Sequence, residues 1–231
     1  MPPMARAVSS SCAFSAAFVL AAFYTVNVSV AAFVQTLDSQ TLAEAIAIGQ
    51  GRINDVRVRF HGPYHVEVTK APVDYVEVVT PFRRVALDAE ARAHAGDRLY
   101  GQRDALAALG DDPSRVDIVV ELTFHPLNTF VGVPDYVVNL QTIVDGPPLL
   151  PRQISRIPRF SPRLAGTPLP YPYIVGPPAR NRSQPLVGGS ILASFNGEQL
   201  DAQGTYWVVV RDSGKEGKEL ARAQVDFGKL R

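Results

Sequence analysis

The chain of 231 residues sets 23 Lys and Arg against 22 Asp and Glu, a net charge of +1, with 46% apolar side chains and one cysteine. That length is enough for one large or two small hydrophobic cores. The charge balance excludes the strongly basic domain of a dedicated nucleic-acid binder, and the lone Cys12 excludes an intramolecular disulfide.

The N-terminus reads as an export signal. Arg6 is its one positive side chain, no acid precedes Asp38, and residues 12–34 are almost uninterruptedly apolar. A charged region ahead of a hydrophobic one is the order the secretion machinery reads, and residues 13–23 fall within the ~7–15 residues of such a hydrophobic region. Tyr24, Thr25, Asn27 and Ser29 make the remainder more polar, and the small residues Ser29, Ala31 and Ala32 offer a peptidase site. The expectation is a signal peptide over residues 1–32, cut near Ala31 or Ala32, and a secreted or periplasmic mature chain that keeps no cysteine. The competing reading is an uncleaved membrane anchor through residues 12–34, because roughly 20 apolar residues cross a bilayer.

Residues 36–112 read as an α+β element. Residues 38–48 suit a short helix with Asp38 as N-cap and Gly49 or Gly51 past its end. The period then becomes alternating: Val56, Val58 and Phe60 interleave with Arg57 and Arg59, Val66 and Val68 with His65, Glu67 and Thr69, and Val76 and Val78 flank Glu77. With residues 61–63 and 71–73 as three-residue loops, Val58 faces Val66 and Val66 faces Val78. A one-residue slip would mix the faces and is disfavoured when one face is buried. The expectation is a three-stranded meander with Arg57, Glu67 and Glu77 in a row across its polar face. Thr80-Pro81 then reads as an N-cap with proline at the first helical position. Residues 103–109 give a second short helix closed by Gly110.

Residues 113–231 read as mainly β. Val116, Ile118, Val120, Leu122 and Phe124 alternate with polar or smaller neighbours, and residues 136–144 suit another strand. Residues 146–185 hold 11 prolines, so this stretch is expected to be extended and irregular, since proline cannot supply ladder hydrogen bonds. It holds no acid, and Arg152, Arg156, Arg159, Arg163, Arg180 and Arg182 stand alone in it. Strands return at residues 190–195, ahead of the turn signal Asn196-Gly197, and residues 206–211 and 219–227 form a hairpin.

Within that last part, Leu200-Asp201-Ala202-Gln203-Gly204-Thr205-Tyr206-Trp207-Val208 resembles the corner before the penultimate strand of immunoglobulin-like sandwiches, where a tyrosine hydroxyl reaches back to the backbone. The resemblance covers about residues 186–231. Val208 stands where antibody domains carry their second cysteine, as in disulfide-free members of that fold. The resemblance implies a sandwich and no particular activity. The expected fold class is therefore mainly β, α+β overall: an immunoglobulin-like β-sandwich with an N-terminal three-stranded meander and helix element.

Candidate sites are few. His61, His65 and His125 are the first residues to weigh as metal ligands, but Gly62-Pro63 puts His61 in a loop and the alternation puts His65 on the solvated face, so no metal is expected. No serine sits in a Gly-x-Ser-x-Gly elbow; Ser190 opens a strand instead. Glu67 and Glu77 could share a proton as close carboxylates, although Arg57 offers an ordinary pairing. No catalytic residue and no cofactor is expected. The arginine-proline segment, with Arg156, Arg159, Phe160, Arg163, Tyr171 and Tyr173, combines fork-shaped cations with aromatics and suits an anionic or extended envelope partner. The plainer reading is that its arginines pair with acids of the sheet, including Glu67, Glu77 and Glu121. The functional expectation is an exported non-catalytic binding or structural module. Its alternative is a secreted hydrolase with a dispersed site of Glu67, Glu77, His65 and His125. A membrane partner is expected only if the N-terminal segment stays uncleaved.

Overall fold

A computed structural model of the chain describes residues 33–97, 99–142, 146–161, 185–214 and 217–231. The expected signal peptide lies outside these residues, as do Arg163, Tyr171, Tyr173, Arg180 and Arg182. The described chain is mixed α+β and mainly β. It has helices α1 (Ser39–Gly49), α2 (Asn54–His61), α3 (Pro81–His94) and α4 (Gln102–Leu109). Its strands are β1 (His65–Lys70), β2 (Val73–Val79), β3 (Val116–Thr123), β4 (Val137–Gln141), β5 (Gln153–Phe160), β6 (Leu186–Phe195), β7 (Thr205–Arg211) and β8 (Glu219–Asp226).

The strands form two antiparallel sheets, one in the order β1-β2-β3-β6-β5 and one in the order β4-β7-β8. Their inward faces follow from the period of two. Ile118, Val120 and Leu122 of β3 and Ile191 and Ala193 of β6 meet Val138 and Leu140 of β4 and Val208 and Val210 of β7 in one buried cluster. Ala221, Ala223 and Val225 complete it from β8. Because β2 of the N-terminal element pairs with β3 along six residue pairs, the meander region and the C-terminal strands share one sheet and one core.

The helices gather where β2 runs into α3 and α4 leads toward β3. The Asp38 carboxylate accepts from the Thr41 amide at 2.8 Å to cap α1, and the Thr80 hydroxyl accepts from the Arg83 amide to cap α3. Phe82, Val85, Ala89, Ala105, Leu109, Leu42 and Ala45 build a second, smaller core. Gly49 is needed where α1 meets α3: a Cβ there would stand 2.3 Å from the Ala86 carbonyl oxygen. Phe60 belongs to the edge of both cores, its ring 5.3 Å from that of Tyr64 and 5.8 Å from that of Phe82.

Both ends of the described chain are fixed to this body. Phe33 is buried with its ring edge-on to Phe227, and the Gln35 amide donates to the Gly197 and Leu200 carbonyls. At the other end the Arg231 carbonyl accepts from the Tyr64 and Thr80 hydroxyls, while its guanidinium meets Glu44 at 2.8 Å.

Three expectations need correction. Residues 56–60 are helical, not the first strand of a meander, so a two-stranded hairpin remains and Arg57 leaves the row with Glu67 and Glu77. Helical geometry places Arg57 and His61, four residues apart, on one side toward α3 while Phe60 enters the core. The cost is that Val56 and Val58 stay exposed. The hairpin register also differs: Val66 faces Val76, because Lys70 already pairs with Val73 and the loop has two residues. Finally, residues 153–160 of the proline-rich stretch form the regular strand β5. Among the described residues it lies at the sheet edge and pairs only with β6, the place where a strand proline such as Pro158 is tolerated.

The corner before β7 carries the hydrogen bond its sequence suggests, with the Asp201 amide donating to the Tyr206 hydroxyl at 2.7 Å. Tyr206 is buried and packs edge-on against Phe227. Tyr206→Phe removes the acceptor and leaves that amide without its partner, so unfolding in denaturant should show a loss of about 1–2 kcal/mol with unchanged secondary structure. An unaltered midpoint would mean that the corner contributes nothing.

Candidate functional site

Arg83, near the start of α3, is the most deeply placed charged side chain near the helices, with 3% of its side chain exposed. Its guanidinium donates to the Val78 carbonyl and to Glu77, and lies over the Tyr64 ring at 4.8 Å. Its Nε faces His61 Nδ1 at 3.4 Å. Since an arginine can only donate, Nδ1 must hold a lone pair, which assigns the proton of the neutral ring to Nε2. That proton points at Glu90 Oε2, 3.2 Å away. His61 therefore has no free nitrogen for acid-base work.

Glu90 passes the chain of contacts outward. Its Oε1 meets Arg57 NH1 at 3.3 Å and His94 Nε2 at 3.6 Å. Arg57 and His94 line a cleft of about 420 Å³ whose floor is the end of α1 at Gly49 and Gln50 and whose rim carries Arg52 and Asp97. A second cleft, of about 250 Å³, adjoins it and shares Gly51, Arg52 and Arg57; its remaining walls are Ala47, Ile48, Ile53 and Val56. The two clefts make one groove, mixed in one lobe and apolar in the other, with Arg52 and Arg57 in both. Arg57 Nε is shielded from solvent and has no hydrogen-bond partner. Arg52 is exposed and makes no ion pair among the described residues.

The residues weighed from sequence lie elsewhere. His65 pairs across the hairpin with Glu77, and Glu67 with Tyr75, on the outer face of the five-stranded sheet. His65 and Glu67 are exposed, Glu77 is held by Arg83, and His125 lies beyond the end of β3, where its Nδ1 accepts from the Leu127 amide. Three of these side chains neighbour one another on a sheet face, His125 lies in a loop, and none of the four lines the groove. Among the described residues no cluster of His, Cys, Asp and Glu could hold a metal ion.

The arginines of β5 are drawn into ion pairs. Arg156 meets Asp135 and the Tyr136 carbonyl, and Arg152 meets Asp112. Arg159 reaches across β6 to Glu121 at 2.7 Å and to the Leu122 carbonyl. Gly188 opens that route, since a Cβ there would stand 2.6 Å from the Arg159 guanidinium. Glu121 also accepts from the Ser190 hydroxyl. Phe160 ends β5 partly exposed.

The groove residues Arg52, Arg57, Glu90 and His94 escaped the sequence reading. One signal was available: Glu90 and His94 stand four apart on a well-marked helix, so they share a face. Arg57 was hidden by the V-R-V-R-F alternation. Compared with protein-family models, with curated proteins and with solved structures, the chain finds no match in any of the three.

Burial, together with the positive charge of Arg83, holds the His61 pKa below its ordinary value of 6.5, while Glu90 acts in the opposite direction. The native state thus resists a proton that the unfolded chain accepts, and linkage makes stability fall as pH drops below about 6.5 toward the lower native value. His61→Gln can keep both contacts without titrating. Unfolding free energies between pH 7 and 5 should decline more steeply for the natural protein than for this variant; parallel curves would remove His61 from the account.

Proposed function

We propose that the chain is an exported, non-catalytic binding module built on an immunoglobulin-like sandwich, with its ligand site in the groove between α1, α2 and α3. The groove is the observation that carries the binding reading. It sets an exposed arginine, Arg52, that makes no ion pair among the described residues beside an apolar recess, as ligand sites pair hydrophobic walls with a few polar groups that fix orientation.

The immunoglobulin-like assignment is supported by strand order. Constant-type domains of that fold order their strands A-B-E-D in one sheet and C-F-G in the other. With β2 taken as strand A, the order β2-β3-β6-β5 and β4-β7-β8 follows the same scheme, and β1 is an addition at the outer edge. Tyr206 then falls near the start of strand F with its hydroxyl tied to the backbone upstream. Export is supported by the charged and apolar order of residues 1–32 and by the seating of Phe33 directly behind the expected cleavage point. No helix among the described residues is long and apolar enough to cross a membrane.

The non-catalytic reading is supported by the position of His65, Glu67, Glu77 and His125 outside the groove and by the occupied nitrogens of His61. Chromogenic ester, glycoside and phosphate substrates should be returned unchanged by the purified protein. Turnover that disappears in His65→Ala or Glu77→Gln would overturn this reading in favour of a hydrolase. In fractionated cells the protein should leave the cytoplasm and begin at Ala32 or Phe33 by N-terminal sequencing. An intact N-terminus in the membrane fraction would replace the secreted form by an anchored one.

A further inference from the structure

We propose that the groove takes a small amphipathic monocarboxylate, its acid group on Arg52 and its hydrocarbon in the apolar lobe. This rests on the binding-module reading above and adds the chemical class of the ligand. Three features select that class.

The first is adjacency. Arg52 borders both lobes, so a ligand held by it meets Ile48, Ile53 and Val56 within one short molecule. Ile53 is 66% exposed and Val56 46% exposed, apolar surface that an occupant would take out of water.

The second is an open donor. Arg57 is held at NH1 by Glu90 and His94 and at NH2 by Asn54, and its Nε is shielded, so the donors that face the groove are those of Arg52, which is exposed and makes no ion pair among the described residues. A carboxylate brings two acceptors to that guanidinium, and charged hydrogen bonds of this kind are the stronger ones. A neutral alcohol offers only one weaker acceptor.

The third is limited positive charge. Asp97 lines the same groove, Glu90 stands behind Arg57, and the C-terminal ends of α1 and α3, with their partial negative charge, lie at it. A single negative charge balances Arg52. A phosphate with two charges would be opposed by the acids and by both helix ends.

The test is calorimetric titration of protein purified from expression of the full chain with octanoate, butyrate, acetate and octanol, with backbone NMR shifts to locate the contact. Octanoate should bind at the groove, weakening by about fourfold for each methylene removed. Octanol should bind roughly tenfold more weakly than octanoate, and Arg52→Ser should remove most of that difference. Val56→Asn should weaken octanoate without restoring octanol, whereas Arg59→Ser, outside the groove on the same helix, should change neither. Equal binding of octanol and octanoate at the groove, unaffected by Arg52→Ser, would overturn the carboxylate assignment and leave a general apolar site. Absence of binding by every probe, or shifts confined to residues outside α1, α2 and α3, would overturn the groove itself.

Discussion

A guanidinium taken out of water must find partners for its donors or the fold loses several kcal/mol. Arg83 is in that position, and the structure around it is arranged by that need. Val78 supplies a carbonyl at the end of β2, Glu77 a carboxylate, Tyr64 a ring face and His61 a lone pair. The four partners come from three local elements: β2, the turn before β1, and α2. Arg83 itself sits on the first turn of α3. One side chain thus fixes how the helices meet the sheet, and it also decides the tautomer of His61, hence which atom faces Glu90.

The two sheets and the helices solve different packing problems. Between the sheets the alternation of β3, β6, β7 and β8 buries side chains from both faces without polar help. Where β2 gives way to α3 no such regularity exists, and the boundary is made of Phe60, Tyr64 and Phe82 ringed by polar contacts to Thr80 and Arg231. Aromatic rings suit this boundary because they carry large apolar area and, in Tyr64, a hydroxyl that reaches a partner. The groove lies at the outer side of this same boundary, where α1 ends and α2 begins.

Much of this was legible from sequence, and the failures share one cause. Asp38 and Thr80-Pro81 announce helix starts through backbone chemistry that operates locally, and β3 and the β7–β8 hairpin alternate over enough residues to be read alone. Tyr206 was legible because its corner is held by a bond only five residues long in sequence. By contrast, residues 56–60 alternate as a strand would, yet their state is set by Phe60 and by Glu90, which is 29 residues from His61. Their alternation is a weak local preference that tertiary contacts override. β5 was masked by Pro158 and the prolines around it, because whether a proline is tolerated in a strand depends on its being at the sheet edge, a property of the assembled sheet. The groove required the helical state of residues 54–61 and the packing of α1 on α3 at once, which is why neither Arg52 nor Arg57 stood out.

Glu90 is where fold and site meet. α2 has no fully buried residue; it is held through Phe60, Arg57 and His61, and the two polar members both end on Glu90. Removing that carboxylate would leave Arg57 and His61 without their shared partner, so the wall of the groove would loosen before the sandwich core is touched. Elements held by few apolar contacts occupy the low end of local stability, and binding sites are drawn from that end.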